Sequence, residues 1–259
     1  MIKLEYKQLL NERKGLLADS NLWSFWDGIS DEYKNTILDY FENTPLMFDY
    51  KSLFKGNRSN DFYHGPLSTL GIIFVKSDII LADYFFEKFL EFNPKNYAAN
   101  SSWGLNWENS KMEMIKALEY RLVNSDVPIN NSNLECLSNL SIEDVYWTDA
   151  HFFVQHYSTF VYKAFLNSQC DSERFVKAFD FCFNNIDIIK SSITSVMGWD
   201  KPLRNGIVDQ YVIFLEKAKR FNECIDIVKK MKDKGWNNDF EKRIERCLKK
   251  KEKGQKIIK

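Results

Sequence analysis

The chain has 259 residues, enough for one large domain or two modest ones with a substantial core. Hydrophobic residues make up 44% and charged residues 28%, as in soluble globular proteins, and no apolar run approaches the ~20 residues of a membrane span. Lysine plus arginine equals aspartate plus glutamate at 36 each, so the basic surplus typical of nucleic-acid binders is missing and that class is not favoured.

The five cysteines, at positions 136, 170, 182, 224 and 247, show neither CxxC pairs nor the ligand spacing of a zinc site. An odd count at irregular intervals argues against a disulfide framework, which favours a reducing compartment. The N-terminus lacks the uninterrupted apolar core of a signal peptide. We therefore expect a cytoplasmic protein with no membrane segment, no bound metal and no cofactor.

Apolar residues at helical spacing predict helices from the N-terminus onward, because only 5 prolines and 10 glycines interrupt the chain. The first helix is expected over about residues 4–18. The second begins at the caps Ser30 and Asp31 and ends near Pro45. Residues 55–61 have the composition of an exposed loop.

Residues 66–90 carry two helical stripes, separated by Ser77 and Asp78, which cap the second one. A β-hairpin made of residues 72–75 and 79–81 is the alternative, because β-branched runs flank a short turn there. The helical period continues to the end of the segment, whereas strand alternation does not. The pattern therefore favours two helices.

Three tryptophans lie in predicted loops. Trp103 and Trp107 belong to the polar segment 97–109, and Trp199 belongs to a second long loop, residues 191–205. An exposed indole ring is costly unless something covers it. The three rings either anchor a binding partner, since tryptophan is enriched at interface hot spots, or fold back over helix ends. We predict them as candidate binding residues.

The weakest segment lies at residues 124–133, around a proline and two asparagines. We expect a single domain over residues 1–259, with this segment as a possible division. It would separate an N-terminal helical half, residues 1–124, from a C-terminal half, residues 134–259. Residues 142–167 beyond it are predicted as one long aromatic helix or two short ones.

The last predicted elements are amphipathic helices. Asp171 and Ser172 cap a helix whose apolar stripe runs from Phe175 to Ile186. Residues 208–248 hold three further segments, of which the middle one has apolar residues at i, i+3, i+4, i+7 and i+10. These are Phe221, Cys224, Ile225, Val228 and Met231. The final segment, rich in lysine, arginine and glutamate on its far side, is predicted to close the fold as a cap.

Aspartate and histidine residues on the predicted helix 142–167 are the only arrangement that suggests chemistry. Asp144 and His151, like Asp149 and His156, are seven residues apart and share a helix face. An acid–base couple or a ligand pair is conceivable there, whereas satisfied polar positions on an aromatic helix are the plainer interpretation. The two histidines are five apart and cannot share a metal as an i, i+4 pair could.

Helix pairs with similar stripes call for a search for internal repeats. Aromatic and small residues recur at matching helical positions in three places: Ala82 and Phe86 with Pro94, Phe175 with Ala178, and Phe221 with Cys224. These segments, residues 66–96, 171–190 and 208–248, resemble tetratricopeptide-type helical repeats. Leu70 and Val212 stand where the family has small residues between its two helices.

The resemblance implies an all-α, irregular helical-repeat (α-solenoid-like) array of antiparallel helix pairs, a fold that usually binds other proteins along a concave face. An irregular helical bundle is the alternative fold. We expect a non-catalytic protein that binds another protein. One version, by analogy, is an immunity protein that neutralises a cognate toxin. The alternative function is an enzyme whose site assembles around Asp144, Asp149, His151 and His156.

Overall fold

The structure is a computed structural model that describes residues 23–43, 78–90, 140–197, 204–236 and 239–257. Within these ranges the chain forms nine α-helices and no strand, which confirms the all-α prediction. In chain order they are α1 (Trp23–Gly28), α2 (Asp31–Asn43), α3 (Ile79–Leu90), α4 (Ile142–Leu166), α5 (Glu173–Asn184), α6 (Ile186–Met197), α7 (Gly206–Lys217), α8 (Phe221–Asp233) and α9 (Phe240–Ile257).

Helix α4 is the centre of the described fold, because it packs against α3, α5, α6 and α7. It is one continuous helix of 25 residues, which decides between the two predicted forms. From α5 onward the helices stack in sequence: α5 contacts α7, α7 contacts α8, and α8 contacts α9. Helix α6 packs mainly on α4 and lies beside this stack.

Aromatic rings fill the spaces between these helices. The ring of Phe86 on α3 stacks on that of Tyr157 on α4, with centroids 4.2 Å apart. The ring of Phe179 on α5 stacks on that of Tyr211 on α7 at 3.8 Å. Such pairs add a geometric preference to the burial of large apolar areas. The high aromatic content therefore serves the core, at least in the part of the chain that the structure describes.

Three of the predicted caps, Ser30, Asp78 and Asp171, make capping bonds, whereas the side chain of Ser172 at the start of α5 makes none. The carboxylate of Asp78 accepts hydrogen bonds from the backbone N–H groups of Ile80 and Leu81, at 2.8 and 3.2 Å. Residues 79–81 lie in α3, so the β-hairpin alternative is wrong. The hydroxyl of Ser30 accepts from the N–H of Tyr33 at the start of α2. The predicted helices at residues 4–18 and 66–75 lie outside the described residues, as does the possible division at 124–133.

The structure corrects the prediction around residue 186. The stripe assigned to one helix is divided, since α5 ends at Asn184 and Ile186 begins α6. Residues 191–197, predicted as loop, form the second half of α6. The breakers Gly198, Pro202 and Gly206 indicated a loop, but Ile186, Ile189 and Ile193 are buried at helical spacing and hold the segment on the core.

Candidate functional site

The predicted acid–base residues all belong to α4, and the first of them caps it. The hydroxyl of Ser141 accepts from the backbone N–H of Asp144 at 3.1 Å, and the carboxylate of Asp144 accepts in return from the N–H of Ser141 at 3.2 Å. This reciprocal pair is a capping box. The other carboxylate oxygen of Asp144 accepts from the hydroxyl of Ser192 on α6 at 3.2 Å. Asp144 therefore starts α4 and ties it to α6.

Within each predicted couple the two residues are separated along one helix. Because α4 is continuous, seven residues correspond to about 10.5 Å along its axis. Asp144 and His151, and likewise Asp149 and His156, therefore start two helical turns apart. Burial of the Tyr146 hydroxyl is the main cause that raises its pKa to about 12, and the negative charge of the buried Asp149 is the second.

His151 lies in the interior, with 4% of its surface exposed. Burial disfavours the charged imidazolium and lowers the pKa of the ring to about 4, so the ring is neutral at physiological pH. Its Nδ1 atom has no hydrogen-bond partner among the described residues. A neutral, deeply buried imidazole of this kind is a weak base near pH 7, which reduces what an acid–base couple could achieve here.

Two more buried polar atoms without a partner within the described ranges lie close to His151 in sequence: the Nε1 of Trp147 and the Oγ1 of Thr148. On one helix, residues three and four apart are neighbours on the same side, so Trp147, Thr148 and His151 form a local polar patch on α4. Within the described part of the chain, no group of three or more His, Cys, Asp or Glu residues could hold a metal ion.

The predicted tryptophan anchors Trp103, Trp107 and Trp199 lie outside the described residues, and their role stays a prediction.

Three of the described cysteines, Cys182, Cys224 and Cys247, are buried. The Sγ atoms of Cys224 on α8 and Cys247 on α9 are 3.5 Å apart, and both side chains are fully buried. Burial, followed by the neighbouring Cys247, raises the pKa of the Cys224 thiol to about 12. Burial likewise raises the pKa of Cys182 to about 12. Since the thiolate is the reactive form, the thiols of Cys182 and Cys224 act as small apolar groups near neutral pH.

An ionic network that the sequence did not suggest joins α3, α4 and α5. The carboxylate of Asp83 accepts from the hydroxyl of Tyr157 at 3.0 Å and from the Nε of Arg174 at 2.8 Å. Tyr157 is 1% exposed, and burial together with the charge of Asp83 raises the pKa of its hydroxyl. The three residues lie on three helices, and Asp83 is separated from Tyr157 by 74 residues and from Arg174 by 91. No short motif could have revealed this network.

A second unpredicted cluster surrounds Glu216, an 8% exposed carboxylate on α7. It accepts two hydrogen bonds from Arg246 of α9, at 2.7 and 2.8 Å, and one from the Nζ of Lys250 at 2.7 Å. A third cation, Arg243, lies 3.4 Å away. Burial alone would raise the pKa of Glu216, but the bonds from Arg246 and Lys250 outweigh it and hold the pKa at about 2.

Helix α9 is therefore fixed to α7 by charge and to α8 by apolar contacts, and its outer side is strongly basic. A shallow depression of about 390 Å³ runs along this side. It is lined by Lys242, Glu245, Arg246, Lys249, Lys250 and Lys253. The sequence predicted a polar outer face for this closing helix but gave no sign of which cations turn back toward α7.

In comparisons with protein-family models, curated proteins and solved structures, nothing matches this chain. Among the described helices, none has both the length and the apolar character needed to cross a bilayer.

Proposed function

We propose that this protein is non-catalytic and binds another protein through the surface of its helical array. What supports the proposal is the stack of α5, α7, α8 and α9, in which each helix packs on the one before it. Arrays in which each helix pair packs only on its neighbours present extended faces to which partners bind. The repeat-like interpretation of this stack belongs to the same proposal.

The chemistry of α4 supports the proposal over the enzyme alternative. Asp144 is engaged in capping α4 and in bonding Ser192. His151 is neutral and buried, with its pKa lowered to about 4. An enzyme centred on these residues would need a pocket that brings an acid and a base within hydrogen-bond reach of a substrate. In α4, Asp144 instead caps the start of the helix and His151 lies in the interior.

Within this proposal, an immunity-type role, in which the partner is a toxin, is the sharper version. It remains an analogy with compact binding proteins that lack catalytic motifs. A cytoplasmic location is consistent with the buried free thiols of Cys182, Cys224 and Cys247. A toxin-like reading frame beside the gene would favour this version.

The test is affinity capture from the native host with the full-length tagged chain, followed by mass spectrometry. We expect one partner protein at a fixed stoichiometry. A variant with Trp103→Ala, Trp107→Ala and Trp199→Ala tests whether the predicted loops form part of the surface. Repeated capture experiments that recover no stoichiometric protein would contradict the proposed function.

A further inference from the structure

The outer side of α9 carries more positive charge than its neighbours neutralise. Six cations of this helix line the depression or contact Glu216. They stand at positions 242, 243, 246, 249, 250 and 253. Among the described residues, three carboxylates lie within ion-pair distance of them: Asp239, Glu216 and Glu245. Taken over all of residues 239–253 together with Glu216, seven positive and five negative charges leave a local charge of +2, in a chain whose formal net charge is zero.

The buried carboxylate of Glu216 organises part of this excess. It holds Arg246 and Lys250 by short hydrogen bonds, yet the two cationic side chains remain 48% and 51% exposed. Two long side chains that would otherwise sample many rotamers are therefore fixed while much of their surface stays accessible. Fixing them in advance reduces the conformational entropy lost when a partner binds.

We propose that the basic face of α9, formed by Lys242, Arg246, Lys249, Lys250 and Lys253, is a docking surface for an acidic patch on a partner protein. This inference rests on the proposed protein-binding function. Opposite charges across an interface accelerate encounter and fix its register. An aspartate- or glutamate-rich patch supplies further carboxylates to a face whose cations outnumber the carboxylates paired with them.

The dimensions and the total charge favour an acidic protein over a nucleic acid. From Lys242 to Lys253 the face extends about 16 Å along the helix, the size of a compact patch rather than of an extended strand. Because the whole chain is neutral, a local charge of +2 leaves −2 on the remainder. The remainder therefore supplies no surplus of cations along which a long polyanion could continue beyond α9.

The test neutralises the exposed lysines while sparing the cluster at Glu216. The variant K242Q/K249Q/K253Q removes three charges from the face. The control K163Q/K177Q/K229Q removes three exposed lysines from other helices, and its Lys177 makes an i, i+4 ion pair like that of Lys249. Fluorescence anisotropy at low salt measures binding of each full-length protein to labelled poly-glutamate and to single-stranded poly-uridine of equal charge.

We expect poly-glutamate to bind the wild-type protein and the control alike, and to bind the K242Q/K249Q/K253Q variant about tenfold more weakly, as the loss of three exposed charge contacts implies. Binding should also weaken as salt is added. Equal binding by the two variants would overturn the proposal. Tighter binding of poly-uridine than of poly-glutamate, lost in the K242Q/K249Q/K253Q variant, would overturn it in favour of a nucleic-acid surface.

Affinity capture separates this inference from the function on which it rests. If the wild-type chain captures a stoichiometric partner and the K242Q/K249Q/K253Q variant captures it equally well at matched salt, the docking surface is wrong and the function stands. If the wild-type chain captures nothing, the proposed function itself fails. Loss of the partner in this variant alone, with an acidic patch on the captured protein, supports both.

Discussion

Replacing Glu216 with glutamine should destabilise the protein, because this carboxylate alone joins α7 to the cations of α9. Its pKa of about 2 lies about 2.5 units below the ordinary 4.5, which corresponds to at most ~3.4 kcal/mol of folding free energy at neutral pH. Arg246 and Lys250 are about half exposed, so solvent screens part of that interaction. We expect a loss of about 2 kcal/mol in the free energy of unfolding at pH 7.

Chemical denaturation in urea measures this loss, and Glu223→Gln is the matched control. Glu223 also accepts two hydrogen bonds from one arginine, Arg220, at 2.7 and 2.5 Å. Its side chain is 52% exposed, so its removal should cost less than about 0.5 kcal/mol. Both carboxylates accept two bonds from one arginine, but they differ in burial and in the further cations, Lys250 and Arg243, that contact Glu216. Equal losses for the two variants would refute the argument from burial.

The pH dependence supplies an independent check on Glu216. A carboxyl group whose pKa is lowered by folding stabilises the protein above its unfolded pKa, and this stabilisation is lost as the pH falls toward the folded pKa. The difference between wild type and Glu216→Gln should therefore be constant above about pH 5 and shrink between pH 4.5 and 2. By pH 3 it should be less than about half its value at pH 7. A difference that does not change between pH 7 and pH 3 would contradict the assignment.

Two further pairs of substitutions, each a variant with its control, test single positions by urea denaturation. Tyr157→Phe removes the hydrogen bond to Asp83 and should cost about 1–2 kcal/mol of unfolding free energy. Tyr162→Phe removes a buried hydroxyl that has no partner within the described ranges and should cost nothing. A larger loss for Tyr162→Phe than for Tyr157→Phe would contradict this. Gly235→Ala should cost about 1–2 kcal/mol, because its φ of +71° is strained for an L side chain. The Nζ of Lys190, 2.7 Å from the new Cβ, ends a flexible side chain and can move aside. Gly28→Ala, with nothing within 4 Å of its Cβ, should be tolerated, and similar losses at the two glycines would refute the strain argument.

Local patterns predicted the helices well where one apolar stripe decides the fold. Cys224, Val228 and Met231 are all fully buried on α8, at the spacing from which that helix was predicted. The second half of α6 was predicted as loop because Gly198, Pro202 and Gly206 follow closely, whereas its environment is set by a distant element. Ser192, for example, is buried and donates to Asp144, 48 residues earlier. Such a bond becomes visible only when both helices are in place.

The cluster around Glu216 was harder to predict, because its contacts join residues that are farther apart in the sequence than a short motif spans. Glu216 meets Arg243, Arg246 and Lys250 at separations of 27, 30 and 34 residues, across the whole of α8. In the sequence these cations were part of a polar outer face. Arg243 is in fact only 12% exposed, so one side of that face is turned inward. The period of a helix predicts which residues share a face, but the neighbour that each face meets depends on the tertiary fold.

Stability and binding depend on sets of α9 residues that share Arg246 and Lys250 but otherwise differ. Arg243 and Arg246 turn toward Glu216 and fix the helix, whereas Lys242, Lys249 and Lys253 leave their charge at the surface. The Glu216→Gln variant should therefore lower stability through the inner set, and K242Q/K249Q/K253Q should lower affinity with little change in the urea midpoint. If neutralising the three outer lysines destabilised the fold as much as Glu216→Gln does, the outer face would be part of the fold rather than a docking surface.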